Sequence, residues 1–282
     1  MGWFETMIYR TWASAGTAAA ALIAAMSLAS PGPAHALDKG ALPANVDAVY
    51  RVNFTALGEI GRFHFNSKID GETYALKADA KIDTAIFDYR GDMSSKGAVS
   101  EAGLGTEPAA YSYTYKQKTF LKKKKVKSLD IAFEGPAVSK VTPFDPPSPK
   151  AIPVTAQQLR NVLDPLTGVM ALSLGNLANP CAQKLPIYDG KQRFDIVFTP
   201  KRRAGADHVC TVKMVQISGH KPGEGSGSVV NGEIELVMRP VPKANIVIPY
   251  SVSVPTIVGT ATLTSEKVEI TMPDSERIAL RR

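Results

Sequence analysis

The chain has 282 residues, of which 44% are hydrophobic, 21% are charged and 7% are aromatic, with a formal net charge of +7. This is an ordinary globular composition, which excludes collagen-like, low-complexity and wholly disordered chains. The chain is long enough to bury a substantial core.

Residues 1–36 have the features of a secretory signal peptide. Arg10 lies in the n-region, an Ala- and Leu-rich stretch follows, and Ala34-His35-Ala36 forms an A-x-A cleavage site. The alternative is an uncleaved membrane anchor, but the apolar stretch is shorter than the roughly 20 residues that a span needs. We therefore predict cleavage after Ala36 and a periplasmic chain, residues 37–282, that forms a single β-rich domain without a transmembrane span.

Cleavage would leave the net charge at +7, because the removed segment contains one acidic residue, Glu5, and one basic residue, Arg10. An exported protein has no nucleic acid to bind. The positive balance therefore indicates either an anionic partner, such as lipid head groups, lipopolysaccharide or acidic wall polymer, or simply solubility, which is the commoner cause.

Apolar residues alternate with other residues from Val49 almost to the end of the chain, which predicts β-strands. The sets that share one strand face include Tyr50, Val52 and Phe54; Tyr74, Leu76, Ala78 and Ala80; Leu129, Ile131 and Phe133; and Phe194, Ile196 and Phe198. Turn signals such as Asp70-Gly71 and Asp189-Gly190 separate the runs. The spacing predicts about a dozen strands in a sandwich or barrel rather than βαβ units.

Two segments interrupt the strands. The proline-rich segment 135–153 predicts an extended crossover loop. Residues 155–174 predict one amphipathic helix that covers the open face of a curved sheet, since Thr155 and Gln158 have capping-box spacing and Leu and Met recur every three or four positions. Asp164-Pro165 predicts a helix restart, hence a kink or two short helices. Farther along, residues 220–232 predict a flexible glycine-rich loop, because their spacing matches no phosphate-binding motif.

The sequence contains two cysteines, Cys181 and Cys210, and both follow the predicted cleavage site. In an oxidising compartment an even count most simply predicts one disulfide. The alternative is a metal or thiol site, because His208 and Cys210 would share a face of a strand. Two cysteines and one histidine do not complete a structural zinc site, so we predict the disulfide and no metal or cofactor.

Several short motifs, in order, resemble the exported bacterial proteins grouped as domain of unknown function family 3108. They are Val49-Tyr50-Arg51-Val52, Gly58-Glu59-Ile60-Gly61, Asp164-Pro165-Leu166-Thr167, Leu185-Pro186-Ile187-Tyr188-Asp189-Gly190-Lys191, Ile248-Pro249-Tyr250, Val254-Pro255-Thr256 and Gly259. The resemblance covers most of residues 47–270. It implies a signal-bearing, mainly β periplasmic protein with an antiparallel half-barrel or spiral sheet similar to lipoprotein-carrier folds, and it implies no catalytic residues.

Two local patterns are candidate ligand sites. Seven lysines occur in twelve positions, at 116, 118, 122–125 and 127, and among them Lys122, Lys123, Lys124 and Lys125 are consecutive. They would bind lipid phosphates at about 1 kcal/mol each, or protect an edge strand. Tyr111, Tyr113 and Tyr115 form a stripe on one strand face, which would line a cavity for an acyl chain or glycan, or pack into the core.

The sequence contains no nucleophile elbow, no H-E-x-x-H motif and no Cys/His nucleophile signature. We therefore expect a non-enzymatic protein of the cell envelope that binds a lipid, a lipoprotein or another hydrophobic or anionic component. The alternatives are an envelope scaffold or adaptor that contacts wall polymer or outer-membrane proteins and, least favoured, a hydrolase. A carrier would have an open concave groove under the helix, and a scaffold would have a filled one.

Overall fold

The structure is a computed structural model that describes residues 42–100, 105–119, 123–142, 148–222 and 232–281. The predicted signal peptide and its cleavage site lie outside the described residues. So do Lys122 and most of the predicted glycine-rich loop.

The described part of the chain contains fourteen β-strands and one α-helix. In chain order the elements are β1 (Asn45–Phe54), β2 (Gly58–Asp70), β3 (Thr73–Asp83), β4 (Phe87–Val99), β5 (Thr106–Thr119), β6 (Lys125–Glu134), β7 (Ala137–Thr142), α1 (Pro165–Leu174), β8 (Gln183–Tyr188), β9 (Arg193–Ala204), β10 (Asp207–Ser218), β11 (Ile234–Val241), β12 (Ile246–Thr256), β13 (Gly259–Thr271) and β14 (Arg277–Arg281). This confirms the predicted mainly-β fold with one helix.

All strands belong to one open antiparallel sheet, in the order β7-β6-β5-β4-β3-β2-β1-β13-β12-β11-β10-β9-β8, with β14 paired to residues 267–271 of β13. Most neighbours are consecutive in the chain, because short turns join antiparallel strands. The long-range pairing is that of β1 with β13, which joins the first seven strands to the later ones. The sheet forms neither the sandwich nor the closed barrel that strand spacing suggested.

The sheet bends around the helix. Helix α1 contacts β3, β4 and β5, and also β8 and β12. Strands β5 and β8 are ten places apart in the sheet order, which in a flat sheet is roughly 48 Å, whereas a ten-residue helix is about 15 Å long. A second contact also indicates the bend: Gly190 after β8 packs so closely on Leu129 of β6 that an added Cβ atom would displace the Leu129 side chain.

The helix is shorter than predicted. It spans Pro165–Leu174 instead of residues 155–174, and only a 3₁₀ turn, Gln157–Leu159, precedes it. The predicted capping pair is present, since the Gln158 backbone N–H lies 3.3 Å from the Thr155 hydroxyl. It caps only the 3₁₀ turn and does not start α1. The cause is Pro165, which holds Asp164 in an extended conformation, so that the helix starts at the predicted restart.

The expectation of an amphipathic helix with one apolar face was wrong. Leu166, Met170 and Leu174 pack into a core cluster with β1–β6, whereas Ala171 and Leu172 pack into a second cluster that contains the cysteines. A helix that is apolar on all sides is typical of a buried position. Because the sheet bends around it, α1 is covered on more than one face.

The prediction of a crossover loop over residues 135–153 was wrong for residues 137–142, which pair with β6 as edge strand β7. The rest of the connection begins at one edge of the sheet and leads toward the other. It leaves edge strand β7 and leads through residues 148–164 to α1 and then to edge strand β8. Its last part is tied to the sheet by two backbone hydrogen bonds of 2.8 Å, from Ile152 N–H to His220 C=O and from Gly219 N–H to Ile152 C=O. Residues 143–147 lie outside the description.

Candidate functional site

Cys181 and Cys210 form a disulfide with a Cα–Cα distance of 5.3 Å, which confirms the predicted pairing. The bond ties the loop before β8 to the middle of β10, and both cysteines are buried. Because both thiols are used in the bond, the alternative metal site at His208 and Cys210 lacks its thiolate ligands. The Arg203 guanidinium instead contacts the His208 ring, and burial together with that charge lowers the pKa of His208.

The three predicted tyrosines have different environments. Tyr111 is buried in the core, whereas Tyr113 and Tyr115 are half-buried. Tyr89 of β4 stacks on Tyr115 with ring centroids 5.9 Å apart, and its hydroxyl is hydrogen-bonded to that of Tyr113. Phe87 stacks on Tyr89 at 6.3 Å. Phe87, Tyr89, Tyr113 and Tyr115 are called the tyrosine cluster below; the sequence patterns had not singled out Phe87 and Tyr89.

A glycine makes room for the tyrosine cluster. Gly91 of β4 lies opposite Tyr115, and a Cβ atom on Gly91 would lie 2.7 Å from the Tyr89 hydroxyl oxygen. The Tyr89 side chain therefore lies along its own strand over the glycine. Burial raises the pKa of Tyr89 and of Tyr113, so both hydroxyls are neutral hydrogen-bonding groups.

The lysine run is divided between the two faces of the sheet. Lys127 lies directly opposite Tyr115, and Lys125 lies opposite Gln117. Paired residues point to the same side of a sheet and successive residues to opposite sides. Lys125 and Lys127 therefore share the face of the tyrosine cluster, whereas Lys116 and Lys118 lie on the other face.

The remaining predicted lysines lie near the same hairpin. Lys123 and Lys124 are exposed just before β6, and Lys122 is outside the description. β7 pairs with residues 130–134 of β6, so the start of β6, with Lys125, has no strand partner on that side among the described residues. Lysines at a strand edge hinder pairing with other chains, so their position also agrees with the alternative that they protect an edge strand.

The concave face beneath the helix is largely filled. A pocket of about 40 Å³ lies between α1, β1, β2 and β12, and its lining includes Tyr50, Phe65, Met170 and Ile248. Such a volume has room for a few water molecules but not for an acyl chain. The half-buried Tyr113 and Tyr115 lie outside this pocket.

A buried polar network holds the start of the helix. The Asp164 carboxylate is fully buried and accepts hydrogen bonds from the Leu166 and Thr167 amides at 3.0 and 2.9 Å. It also accepts one from the Ser95 hydroxyl at 2.9 Å, and the Tyr74 hydroxyl is 2.9 Å from that of Thr167. The sequence predicted the cap at Asp164 but not these bonds to β3 and β4. The network positions α1 against the sheet.

A second polar group lies on the other face of the sheet. The His64 ring is 2.9 Å from an Asp47 carboxylate oxygen and 3.2 Å from one of Asp79, so it bridges β1, β2 and β3. Burial alone would lower the pKa of His64, but the two carboxylates outweigh it and raise the pKa above its usual value. These side chains are partly exposed and act as a cross-strand clamp.

No helix in the described ranges is both long and apolar enough to cross a membrane. Comparisons of the chain with protein-family models, with curated proteins and with solved structures gave no match. The resemblance to the domain of unknown function family 3108 therefore stays a prediction from the motifs.

Proposed function

We propose that this protein is an exported, non-enzymatic protein of the periplasm that binds an anionic amphiphile, such as a lipid or the lipid part of a lipoprotein. The tyrosine cluster would hold the apolar part of the ligand, and Lys125 and Lys127 would face its anionic head group. The observation that carries the proposal is the β5–β6 register, in which Lys127 lies opposite Tyr115.

Two physical features support this site. Tyrosines offer a large apolar ring with a polar tip, which suits the boundary between an acyl chain and its head group. Lysines near an anionic head group contribute about 1 kcal/mol each. The proposed export is supported by the signal-like residues 1–36 and by the disulfide, since disulfides persist in oxidising compartments.

The alternative is a scaffold or adaptor that contacts wall polymer or outer-membrane proteins. The small pocket beneath α1 favours it, because a filled concave face has no space for an acyl chain in the interior. Under this alternative the lysines of the β5–β6 hairpin would bind a polymer or protect the strand edge.

The test is a titration with a short-chain lipid below its micelle concentration. We expect dihexanoyl-phosphatidylglycerol to shift the NMR signals of Tyr113 and Tyr115, and dihexanoyl-phosphatidylcholine to bind at least fivefold more weakly. The double variant Lys125→Gln/Lys127→Gln should lose at least fivefold in affinity for phosphatidylglycerol.

Lys116→Gln/Lys118→Gln is the matched control, because it removes the same charge from the other face of the same hairpin. Its affinity should change less than twofold. Equal losses in the two double variants, or the absence of binding by the wild-type protein, would overturn the proposed site and favour the scaffold.

A further inference from the structure

Most of the exposed large hydrophobic side chains lie at hairpin turns. Six such side chains are exposed in the described residues, and five of them are Leu57 (61%), Ile86 (65%), Val126 (57%), Ile257 (69%) and Val258 (71%). Leu57 is in the β1–β2 turn, Ile86 in the β3–β4 turn, and Ile257 and Val258 in the β12–β13 turn; Val126 follows the β5–β6 turn. The sixth, Ile152, precedes α1 and is exposed by only 38%.

The sheet topology places these four turns side by side. The eight strands that they join are consecutive in the sheet, in the order β6-β5-β4-β3-β2-β1-β13-β12. In an antiparallel sheet, the strands joined by these hairpins all reach their turns at the same end. We call this the hairpin end; its seven strand spacings extend over roughly 34 Å along the sheet.

The aliphatic side chains at these turns are mostly exposed, so they contribute little to the core. Turns usually contain Gly, Asn, Asp or Pro, whose side chains or backbone suit the bend. Turns at the opposite end of the same strands follow this rule, with Gly71-Glu72, Gly135-Pro136 and Asp274-Ser275. At the hairpin end, Gly58 and Gly259 also have positive φ angles, but the turns add the exposed pairs Ala56-Leu57, Ala85-Ile86 and Ile257-Val258. Several exposed apolar side chains along one edge are typical of an interaction site.

The charge at the hairpin end is mainly positive. Lys123, Lys124 and Lys125 are exposed beside the β5–β6 turn, and Lys116 and Lys118 are exposed near the end of β5. The acidic residues at this end are Asp83, Asp88, which is paired with Arg90, and Glu59, which is paired with Arg51 and Arg62. The basic residues therefore outnumber the unpaired acidic ones.

We propose that the hairpin end docks on an anionic lipid bilayer. The side chains of Leu57, Ile86, Ile257 and Val258 enter the boundary between head groups and acyl chains, and the lysines of the β5–β6 hairpin contact the lipid phosphates. Apolar side chains at such a boundary are buried by about 5–10 Å, and surface charge adds to the attraction.

The composition of the hairpin end favours a bilayer over a protein partner. Protein interfaces are enriched in aromatic residues, Met and Arg and depleted in Lys. The hairpin end instead combines separate exposed aliphatic side chains with lysines. The exposed aliphatic side chains of neighbouring turns are also about 10 Å apart, which is two strand spacings. A fluid bilayer fills the gaps between them better than the surface of a folded protein does. Docking does not require the amphiphile site, because it rests on the exposed aliphatic side chains of the hairpin end.

The test uses the protein recovered from the periplasm, with its processing checked by mass. Both tryptophans of the sequence, Trp3 and Trp12, lie in the predicted signal peptide, so a tryptophan placed at a tip is a single fluorescent reporter. With vesicles of phosphatidylglycerol and phosphatidylcholine at low salt, Leu57→Trp and Ile257→Trp should show blue-shifted emission that brominated lipids quench. Ile152→Trp is the matched control and should show neither change.

A triple variant, Leu57→Ser/Ile86→Ser/Ile257→Ser, should bind the same vesicles at least tenfold more weakly than the wild-type protein, with an unchanged melting temperature. It should still bind monomeric dihexanoyl-phosphatidylglycerol, so the failure of docking and the failure of the amphiphile site are distinguishable. Unchanged vesicle binding by this variant, unshifted tip reporters, or the absence of vesicle binding by the wild-type protein would each overturn the proposal.

Discussion

The hydroxyl of Ser95 on β4 donates a hydrogen bond of 2.9 Å to the buried carboxylate of Asp164, 69 residues later in the chain. The same carboxylate caps α1, so one acidic side chain both starts the helix and fixes it to the sheet. The buried bonds of Thr167 and Tyr74 extend this contact to β3. The position of the helix therefore depends on this small set of polar atoms.

Replacing Asp164 should destabilise the protein strongly. Asp164→Ala removes the cap and leaves the Leu166 and Thr167 amides buried without their acceptor, so we expect a loss of about 3 kcal/mol in unfolding free energy. Ser95→Ala removes two hydrogen bonds, to the Asp164 carboxylate and to the Thr167 hydroxyl, and should cost about 1–2 kcal/mol. Urea unfolding measures both. Asp83→Ala, at an exposed position, is the control and should change stability by less than about 0.5 kcal/mol.

The disulfide should be complete and stabilising. Thiol labelling of unfolded, unreduced protein should detect no free cysteine, because Cys181 and Cys210 are bonded to each other. Cys181→Ala/Cys210→Ala should lower the unfolding free energy by about 3.5 kcal/mol, the value expected for a bond that closes a loop of this length. Two labelled thiols per chain would contradict the bond and reopen the alternative of a metal site.

A methyl group at Gly91 should disturb the tyrosine cluster. The added Cβ of Gly91→Ala would lie 2.7 Å from the Tyr89 hydroxyl, so Tyr89 must move and its hydrogen bond to Tyr113 is lost. We expect a cost of about 1 kcal/mol in stability and weaker binding of dihexanoyl-phosphatidylglycerol. Tyr89→Phe, which removes the hydroxyl but keeps the ring, should retain more of the binding than Gly91→Ala. The reverse order would count against a role for the ring stack.

The His64 clamp should make stability dependent on pH. Because Asp47 and Asp79 raise the pKa of His64 in the folded protein, its contribution is fully present below the unfolded pKa of about 6.5. This contribution is lost as the pH rises through the higher pKa of the folded state. The groups are partly exposed, so the change should stay below about 1 kcal/mol. In urea unfolding at several pH values, His64→Gln should remove this dependence; an identical pH profile would contradict the clamp.

Salt should separate the electrostatic and the apolar contributions to lipid binding. Replacing Lys122, Lys123, Lys124 and Lys125 by Gln should weaken binding to anionic vesicles and flatten its salt dependence, since exposed charges are screened within about 10 Å at 0.1 M. Tyr113→Ala should weaken acyl-chain binding at every salt concentration, because apolar burial is not screened. Sedimentation with vesicles measures the first effect, and titration with dihexanoyl-phosphatidylglycerol measures the second. A salt-independent loss in the lysine variant would contradict the electrostatic role.

Features that depend on neighbouring residues could be read from the sequence. The alternation of Tyr74, Leu76 and Ala78 predicted a strand face that is buried in the structure, since successive side chains of a strand always point to opposite sides. Asp164-Pro165 predicted a helix restart, and α1 begins there because proline restricts the residue before it, whereas the expected earlier start at residue 155 was wrong. The cysteine pairing was predictable because the chain offers no other partner.

Features that depend on contacts between distant segments were decided by the tertiary structure. The strand pattern did not specify that Lys127 lies opposite Tyr115, or that α1 would be buried by strands from both halves of the sheet. Nor did it show that Leu57, Ile86 and Ile257 share one end of the sheet. Alternation along one strand defines its faces, but the pairing register and the order of the strands depend on long-range packing and turn geometry. Sheet order and register therefore determine which of the locally predictable side chains meet.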